Sequence, residues 1–246
     1  MHNFKVRMSY DGSAYHGFQR QENALAIQQI IEETIEKIIG ERVTVFGCSR
    51  TDTGVHANEF YFNFQHDNAI TCGGLIRSLN GYLPDDIAIL SCEEADEGFH
   101  ARYNCKAKEY LYKIHNSKVK NPFLKDRAYR YAYDINEKLL NDASQAFVGT
   151  HDFKGFCSTG SAKINTVRTI EYFNVVRDDD LIIMLVKGDG FLYNMVRIMV
   201  GTLLFVNEGK ISAESIPQII LSGERKKAGK TAPAQGLYLN KVFYDA

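Results

Sequence analysis

The sequence predicts an α+β fold of mainly antiparallel sheet, with helices covering one side. Three observations predict it. Strand-like and helix-like patterns are interleaved along the chain. Several neighbouring strands are joined by turns too short for a parallel crossover. The order of elements also begins again near residues 104–107, which divides the 246 residues into halves 1–104 and 105–246. Sequence identity between the halves is negligible, so the repeat is architectural.

The elements follow from local patterns. Phe4 to Tyr10 alternates as a half-buried strand does, and Asp11-Gly12-Ser13 breaks it. Ile27, Ile30, Ile31, Ile35, Ile38 and Ile39 recur at helical spacing, with Gly40 as the stop. Strands are predicted at 43–47 and 59–65, then a short helix over Leu75–Leu79 that ends before Pro84, then a strand over Ile87–Cys92. In the second half, Glu109–Ile114 reads as a strand and Leu139–Phe147 as a helix. Two long strands, Val167–Val176 and Leu181–Val186, flank the turn Asp178-Asp179-Asp180. A strongly apolar helix fills 191–206. Ser212 caps a short helix over Glu214–Leu221, and Leu237–Tyr244 makes the last strand.

Composition narrows the function. Hydrophobic content of 45% and charged content of 24% are those of an ordinary soluble globular protein. No basic leader precedes an apolar core, and the apolar stretch Phe191–Val206 is interrupted by Asn194 and Arg197, so a cytoplasmic protein without a membrane span is expected. Five scattered cysteines, none in a C-x-x-C pair, point to free thiols. Seven histidines without a ligand-pair motif give no reason to expect a metal. The net charge of −1 conceals a local bias: eight basic and two acidic residues lie between Lys106 and Arg130, with tyrosines and Phe123 among or beside them. Positive charge mixed with aromatic rings suits a polyanion that carries stackable bases. A second basic knot is Arg225-Lys226-Lys227 with Lys230. Solvated lysines over core tyrosines are the plainer reading of either cluster.

The densest chemistry lies in Arg50-Thr51-Asp52-Thr53-Gly54-Val55-His56-Ala57, a Gly-containing bend between two strands. Loops on rigid strands commonly carry catalytic groups. Asp52 either serves there or only braces the turn. Arg197 sits inside an otherwise buried helix, and a charge in that setting needs a partner. Asp52 is the proposed one, since an adjacent guanidinium holds a carboxylate ionised. The alternatives are a side chain that snorkels to the helix end and an ordinary structural acid. Arg50 has the forked donors that suit a phosphate. Tyr110 and Tyr112 lie on one strand face, where they either pack in the core or offer a ring to a base. Gly229-Lys230-Thr231 lacks the earlier glycine of a phosphate-binding loop, and Gly188-Asp189-Gly190 lacks the third glycine of a dinucleotide fingerprint.

Taken together, these segments resemble the tRNA pseudouridine synthase A family over essentially the full length. The residues that carry the resemblance are Tyr10-Asp11-Gly12 with Tyr15, Gly17-Phe18-Gln19 and Gln21, then the Arg50–Ala57 loop, Phe99-His100-Ala101-Arg102 and Lys108-x-Tyr110-x-Tyr112. Val167-Arg168-Thr169-Ile170, Met195-Val196-Arg197 with Gly201-Thr202-Leu203, and Ala232-Pro233-Ala234-x-Gly236-Leu237-Tyr238-Leu239 complete the order. Ser49 stands where a glycine is expected. The resemblance implies two similar ferredoxin-like halves meeting at a central cleft, a homodimer, and no cofactor. It implies isomerisation of uridine at positions 38, 39 and 40 in the anticodon arm of tRNA. Asp52 would be the catalytic carboxylate, Tyr110 the ring against the target uracil, Arg197 the ion-pair partner, Arg50 the residue that helps extrude the nucleotide, and Leu237 an apolar wall. Two rivals make different demands: a base-excising RNA glycosidase would release free uracil, and a non-catalytic RNA-binding module would ask nothing of Asp52.

Overall fold

The computed structural model describes residues 1–67, 70–158 and 165–245. It is a mixed α/β fold in which most strand pairs are antiparallel. The chain divides into two compact units, Met1–Lys106 with Tyr238–Ala246, and Ala107–Leu237. Among the described residues no helix is long and apolar enough to cross a membrane.

The first unit runs β1 (His2–Tyr10), α1 (Ile27–Ile39), β2 (Phe46–Gly47), β3 (His56–His66), α2 (Cys72–Tyr82) and β4 (Ile87–Ala95). Strand β1 lies between β4 and β3, antiparallel to both. Its register sets Phe4 opposite Phe64, Val6 opposite Phe62 and Met8 opposite Phe60. All six are fully buried, so the alternation seen in the sequence is the core face of the sheet. Burying each such side chain stabilises by about 1.5–3 kcal/mol. Ile27, Ile31 and Ile35 form the buried stripe of α1, which ends at Gly40 in the left-handed region. Thr71 caps α2 by accepting from the Gly74 N–H, and α2 packs against β4.

The strand expected at 43–47 shortens to Phe46–Gly47. The reason lies in α1: the Glu32 carboxylate accepts from Val45 N–H at 3.2 Å, and the Gln28 amide donates to Val45 O at 3.1 Å. Helix side chains thus satisfy a backbone that a neighbouring strand would otherwise pair.

The second unit runs β5 (Ala107–His115), β6 (Tyr129–Arg130), α3 (Glu137–Ser144), β7 (Gly149–Asp152), β8 (Val167–Asp178), β9 (Leu181–Gly188), α4 (Met195–Asn207) and α5 (Ile216–Ser222). Strand order is β5-β9-β8-β7, with β6 added parallel to β5. Tyr110, Tyr112 and Ile114 face Val186, Met184 and Ile182 in register. The short strands β6 and β7 have no run of alternation long enough to reveal them. Helix α4 starts four residues later than the apolar stretch predicts, because Asn194 takes a left-handed conformation (φ 62°) that no helix can continue through. Ser212 does not cap by its side chain; its hydroxyl donates to the Glu214 carboxylate instead.

The last strand, β10 (Leu237–Phe243), departs from the division expected at residue 104. It pairs in parallel with β3, Tyr238 opposite His56 and Leu239 opposite Ala57. Asn58 donates to Asn240, Glu59 accepts from Val242 N–H, and Tyr244 donates to Ala101 O, so the C-terminus belongs to the first unit. The reason is hydrogen bonding across the chain, which local patterning does not carry.

Candidate active site

The Arg50–Ala57 loop connects β2 to β3 and is braced from outside by residues 10–18. Tyr10, paired with Ala57 at the end of the β1–β3 ladder, shares a buried 2.8 Å hydrogen bond with Thr51 Oγ1. Phe18 N–H donates to Thr51 O, and Gly54 N–H donates to Tyr15 O at 3.2 Å. Within the loop, Val55 N–H donates to Asp52 O at 3.1 Å, closing a tight turn. Gly17 makes the approach possible. Its φ is +81°, and a Cβ there would stand 2.3 Å from Thr51 O and 3.2 Å from the Asp52 carbonyl carbon.

The far side of the loop is held by His56. Its Nδ1 lies 3.1 Å from Gly12 N and 3.1 Å from Asp11 Oδ1, so it accepts from Gly12 in the neutral ring and donates to Asp11 when protonated. The ring stacks on Tyr238 with centroids 4.5 Å apart. The bracing segment is in turn fixed to Asp86: its backbone carbonyl accepts from Asp11 N–H at 2.9 Å and its carboxylate from the Tyr15 hydroxyl at 2.6 Å. Burial and that carboxylate push the Tyr15 hydroxyl well above the ordinary phenol range. Tyr10, Gly12, Tyr15 and Gly17 stand out in the sequence only as a motif of two glycines and two tyrosines at short spacing; in the structure they hold the backbone that carries Asp52.

Arg50, Asp52, Tyr110, Arg197 and Leu237 are distributed between the units. Asp52, partly buried, and Arg50, exposed, share the loop of the first. Tyr110, Arg197 and Leu237 belong to the second. Arg197 lies in the first turn of α4, half-buried. Its Nε donates to Ala232 O at 2.7 Å and a terminal nitrogen donates to Asn194 Oδ1 at 2.7 Å. The left-handed Asn194 therefore acts as a bracket for Arg197. Its own amide donates to Ser158 Oγ.

The segment from Ala232 to Gly236 links α4 to β5. Pro233 O accepts from the Tyr112 hydroxyl at 2.7 Å, and a Cβ on Gly236 would strike the Tyr112 ring. Tyr112 is thus a core residue; burial raises its hydroxyl far above the usual range, with the charge of Arg197 opposing. Tyr110, also buried, meets Phe191 edge-on at 5.0 Å. Leu237, likewise buried, directly precedes Tyr238, the strand partner of His56.

The two basic clusters are held to different degrees: in the first, Lys125 lies near Asp126 and Arg130 donates to Lys118 O. Lys118, Lys120, Lys125, Arg127 and Arg130 are exposed alongside Phe123 and Tyr133. In the C-terminal knot, by contrast, Lys226 and Lys227 reach Glu224, and the Arg225 guanidinium donates to Gly229 O and Thr231 Oγ1.

Comparison with known proteins supplies the context for these side chains. A family model described as tRNA pseudouridine synthase matches residues 7–104 and 143–245. The tRNA pseudouridine synthase A of Acetivibrio thermocellus is 47% identical, covering 99% of this chain and 100% of the relative. The proteins of the same description from Ruminiclostridium cellulolyticum and Clostridium acetobutylicum are 44% and 43% identical at the same coverage. A solved Cbf5-Nop10-Gar1 complex is similar at TM-score 0.40 and 11% identity over 82% of this chain and 44% of that one, too loose a likeness to carry an argument. With identity of this order over whole chains, the protein belongs to the tRNA pseudouridine synthase family, the enzymes that isomerise uridine to pseudouridine in tRNA.

Proposed function

We propose that the chain acts on uridines 38, 39 and 40 in the anticodon stem-loop, with Asp52 as the catalytic carboxylate and the target nucleotide flipped out of the stack. The observation that carries this reading is the bracing of the Asp52 backbone by residues 10–18, which a mere turn residue does not need. A side chain that must meet a reacting atom has to be held to within a fraction of an ångström.

The reaction detaches uracil from C1′ of the ribose, rotates it and rejoins it through C5, with no net change in atoms. An ionised carboxylate serves either as a nucleophile at an electrophilic carbon or as a base on the sugar. Arg197 pairs with Asp52 and keeps it charged. Tyr110 supports the uracil ring, and Leu237 keeps water from the detached base. Arg50 helps extrude the nucleotide, since a stacked base is out of reach. The exposed basic segment 118–130 supports binding of the tRNA backbone. Two related ferredoxin-like halves around a cleft, a cytoplasmic homodimer and chemistry without a cofactor complete the reading; the two matched segments, 7–104 and 143–245, support the halves.

The test is direct. tRNA transcript is incubated with wild type and with Asp52→Ala, and pseudouridine, free uracil and binding are measured. Wild type forms pseudouridine without free uracil. Asp52→Ala loses at least about a thousandfold in rate and still binds tRNA. Turnover that survives in Asp52→Ala removes the mechanism, and free uracil as product replaces it with base excision.

A further inference from the structure

A cavity of about 280 Å³ lies in the first unit beside the loop that carries Asp52. Arg50 lines it from the loop, Phe46 from β2, and His100, Arg102 and Tyr103 from the turn after β4. No aspartate or glutamate lines it. Among the described residues neither Arg50 nor Arg102 makes an ion pair, whereas in the same unit Arg7 pairs with Glu59 and Arg20 with Glu32.

The aromatic lining is equally specific. His100 sits between two rings, with centroids 5.0 Å from Phe46 and 4.3 Å from Tyr103. Tyr103 is 77% exposed and Phe46 40% exposed, so this ring surface faces outward. The ring of His100 accepts from Arg102 N–H at 3.1 Å through Nδ1, which requires the neutral form at that atom. Behind these groups the wall is rigid: buried Gln28 spends its amide on Gln19, Arg20, Glu32 and Val45.

Two unpaired guanidinia next to an outward-facing cluster of tilted rings is the chemistry that holds a phosphate and a base together. The volume lies at or below the ~300 Å³ lower end for drug-sized ligands, so it suits one nucleotide and not a duplex. Arg50 is two residues from Asp52, hence at most about 7 Å away along the chain. We propose that this cavity holds the nucleotide adjacent to the target uridine, its phosphate between Arg50 and Arg102 and its base on the Tyr103–His100–Phe46 surface. The inference rests on the tRNA isomerase reading and adds a subsite to it: a neighbour gripped here holds the strand open while the target leaves the stack.

The experiment uses an anticodon-arm RNA with a single abasic nucleotide placed 5′ or 3′ of the target. Tyr103→Ala weakens binding of the intact arm roughly 5- to 150-fold. On one of the two sides the abasic nucleotide weakens wild type by a comparable factor and has no further effect on Tyr103→Ala. Arg102→Gln lowers the slope of log affinity against log salt by about 0.7. Tyr103 is so exposed that its removal leaves the melting temperature unchanged, which separates lost stacking from lost fold. Pseudouridine formed by wild type with fully additive effects on both sides overturns the subsite and leaves the isomerase standing. Absence of pseudouridine on the intact arm removes the parent reading. Tyr103-dependent binding of uridine monophosphate as tightly as the RNA arm would make this a free-nucleotide site, and the proposal would fail.

Discussion

The loop that carries Asp52 and the helical turn that carries Arg197 are held by different means. In the first unit, the backbone of Tyr15 and Phe18 bonds to Gly54 and Thr51 on either side of Asp52, and Gly17 is placed so that the two segments can touch. In the second, Arg197 is aimed by its own side-chain hydrogen bonds to Ala232 O and Asn194 Oδ1. The close backbone approach there lies one turn further along α4, at Gly201, where a Cβ would stand 1.7 Å from Lys230 O. The backbone under Asp52 is thus held by chain packing, and the Arg197 guanidinium has hydrogen bonds of its own. Damage to each should look different.

The largest effects come from adding a methyl at the two glycines. Gly201→Ala forces α4 away from the Lys230 backbone and costs about 3 kcal/mol, a fall in melting temperature of roughly 6–12 °C. Gly17→Ala adds strain at positive φ and pushes on Thr51 and Asp52. Its distinctive result is a fall in kcat on the order of a hundredfold in the protein that remains folded, because a 1 Å misplacement has about that effect. Calorimetry beside single-turnover kinetics checks both. Equal kcat losses in the two variants would erase the contrast between the sites.

Next in size is Arg197→Lys. An ammonium keeps the charge but cannot serve Ala232 O and Asn194 Oδ1 with one planar fork, so one hydrogen bond to a charged donor is lost. A loss of about 1.5–3 kcal/mol in stability is expected, together with a lower kcat and little change in tRNA affinity. Tyr10→Phe is milder. It deletes the buried partner of Thr51 Oγ1 and leaves the remaining hydroxyl to find another, for about 1 kcal/mol by chemical denaturation. A few-fold fall in rate accompanies it, since Phe18 N–H still holds Thr51 O.

How much of this was readable beforehand varies with range. The core alternations of β1, β5 and β9 and the isoleucine stripe of α1 were legible because each is a local period imposed by one buried face. The Asp52 loop was legible because reactive residue types crowd around a glycine. What sequence could not carry were hydrogen bonds between distant segments, β10 returning to β3 and Val45 satisfied by Gln28 and Glu32, and one backbone conformation, the left-handed Asn194 that delays α4. Charge density leaves the two basic clusters alike in one dimension. The structure adds that Lys226 and Lys227 reach Glu224 and that Arg225 bonds to Gly229 O and Thr231 Oγ1, partners that local charge counting does not carry.

The smallest effect concerns His100, where a backbone N–H holds a side chain and a proton decides whether it can. Nδ1 accepts from Arg102 N–H at 3.1 Å and loses that bond on protonation. Burial first, and the Arg102 charge as a lesser cause, lower the ring below its ordinary 6.5, against a local backbone interaction that raises it. The folded state therefore binds this proton less readily than the unfolded chain. Its contribution to stability is complete above about pH 6.5 and declines as pH falls from there through the lowered folded value. Titration of the His100 ring by NMR should give a midpoint below 6.5. Phe46→Ala, which uncovers the ring, should raise that midpoint more than Arg102→Gln, which removes only the charge. The reverse order would mean that electrostatics dominates burial at this face, and that an RNA phosphate docking between Arg50 and Arg102 would protonate His100 instead of leaving it a neutral stacking surface.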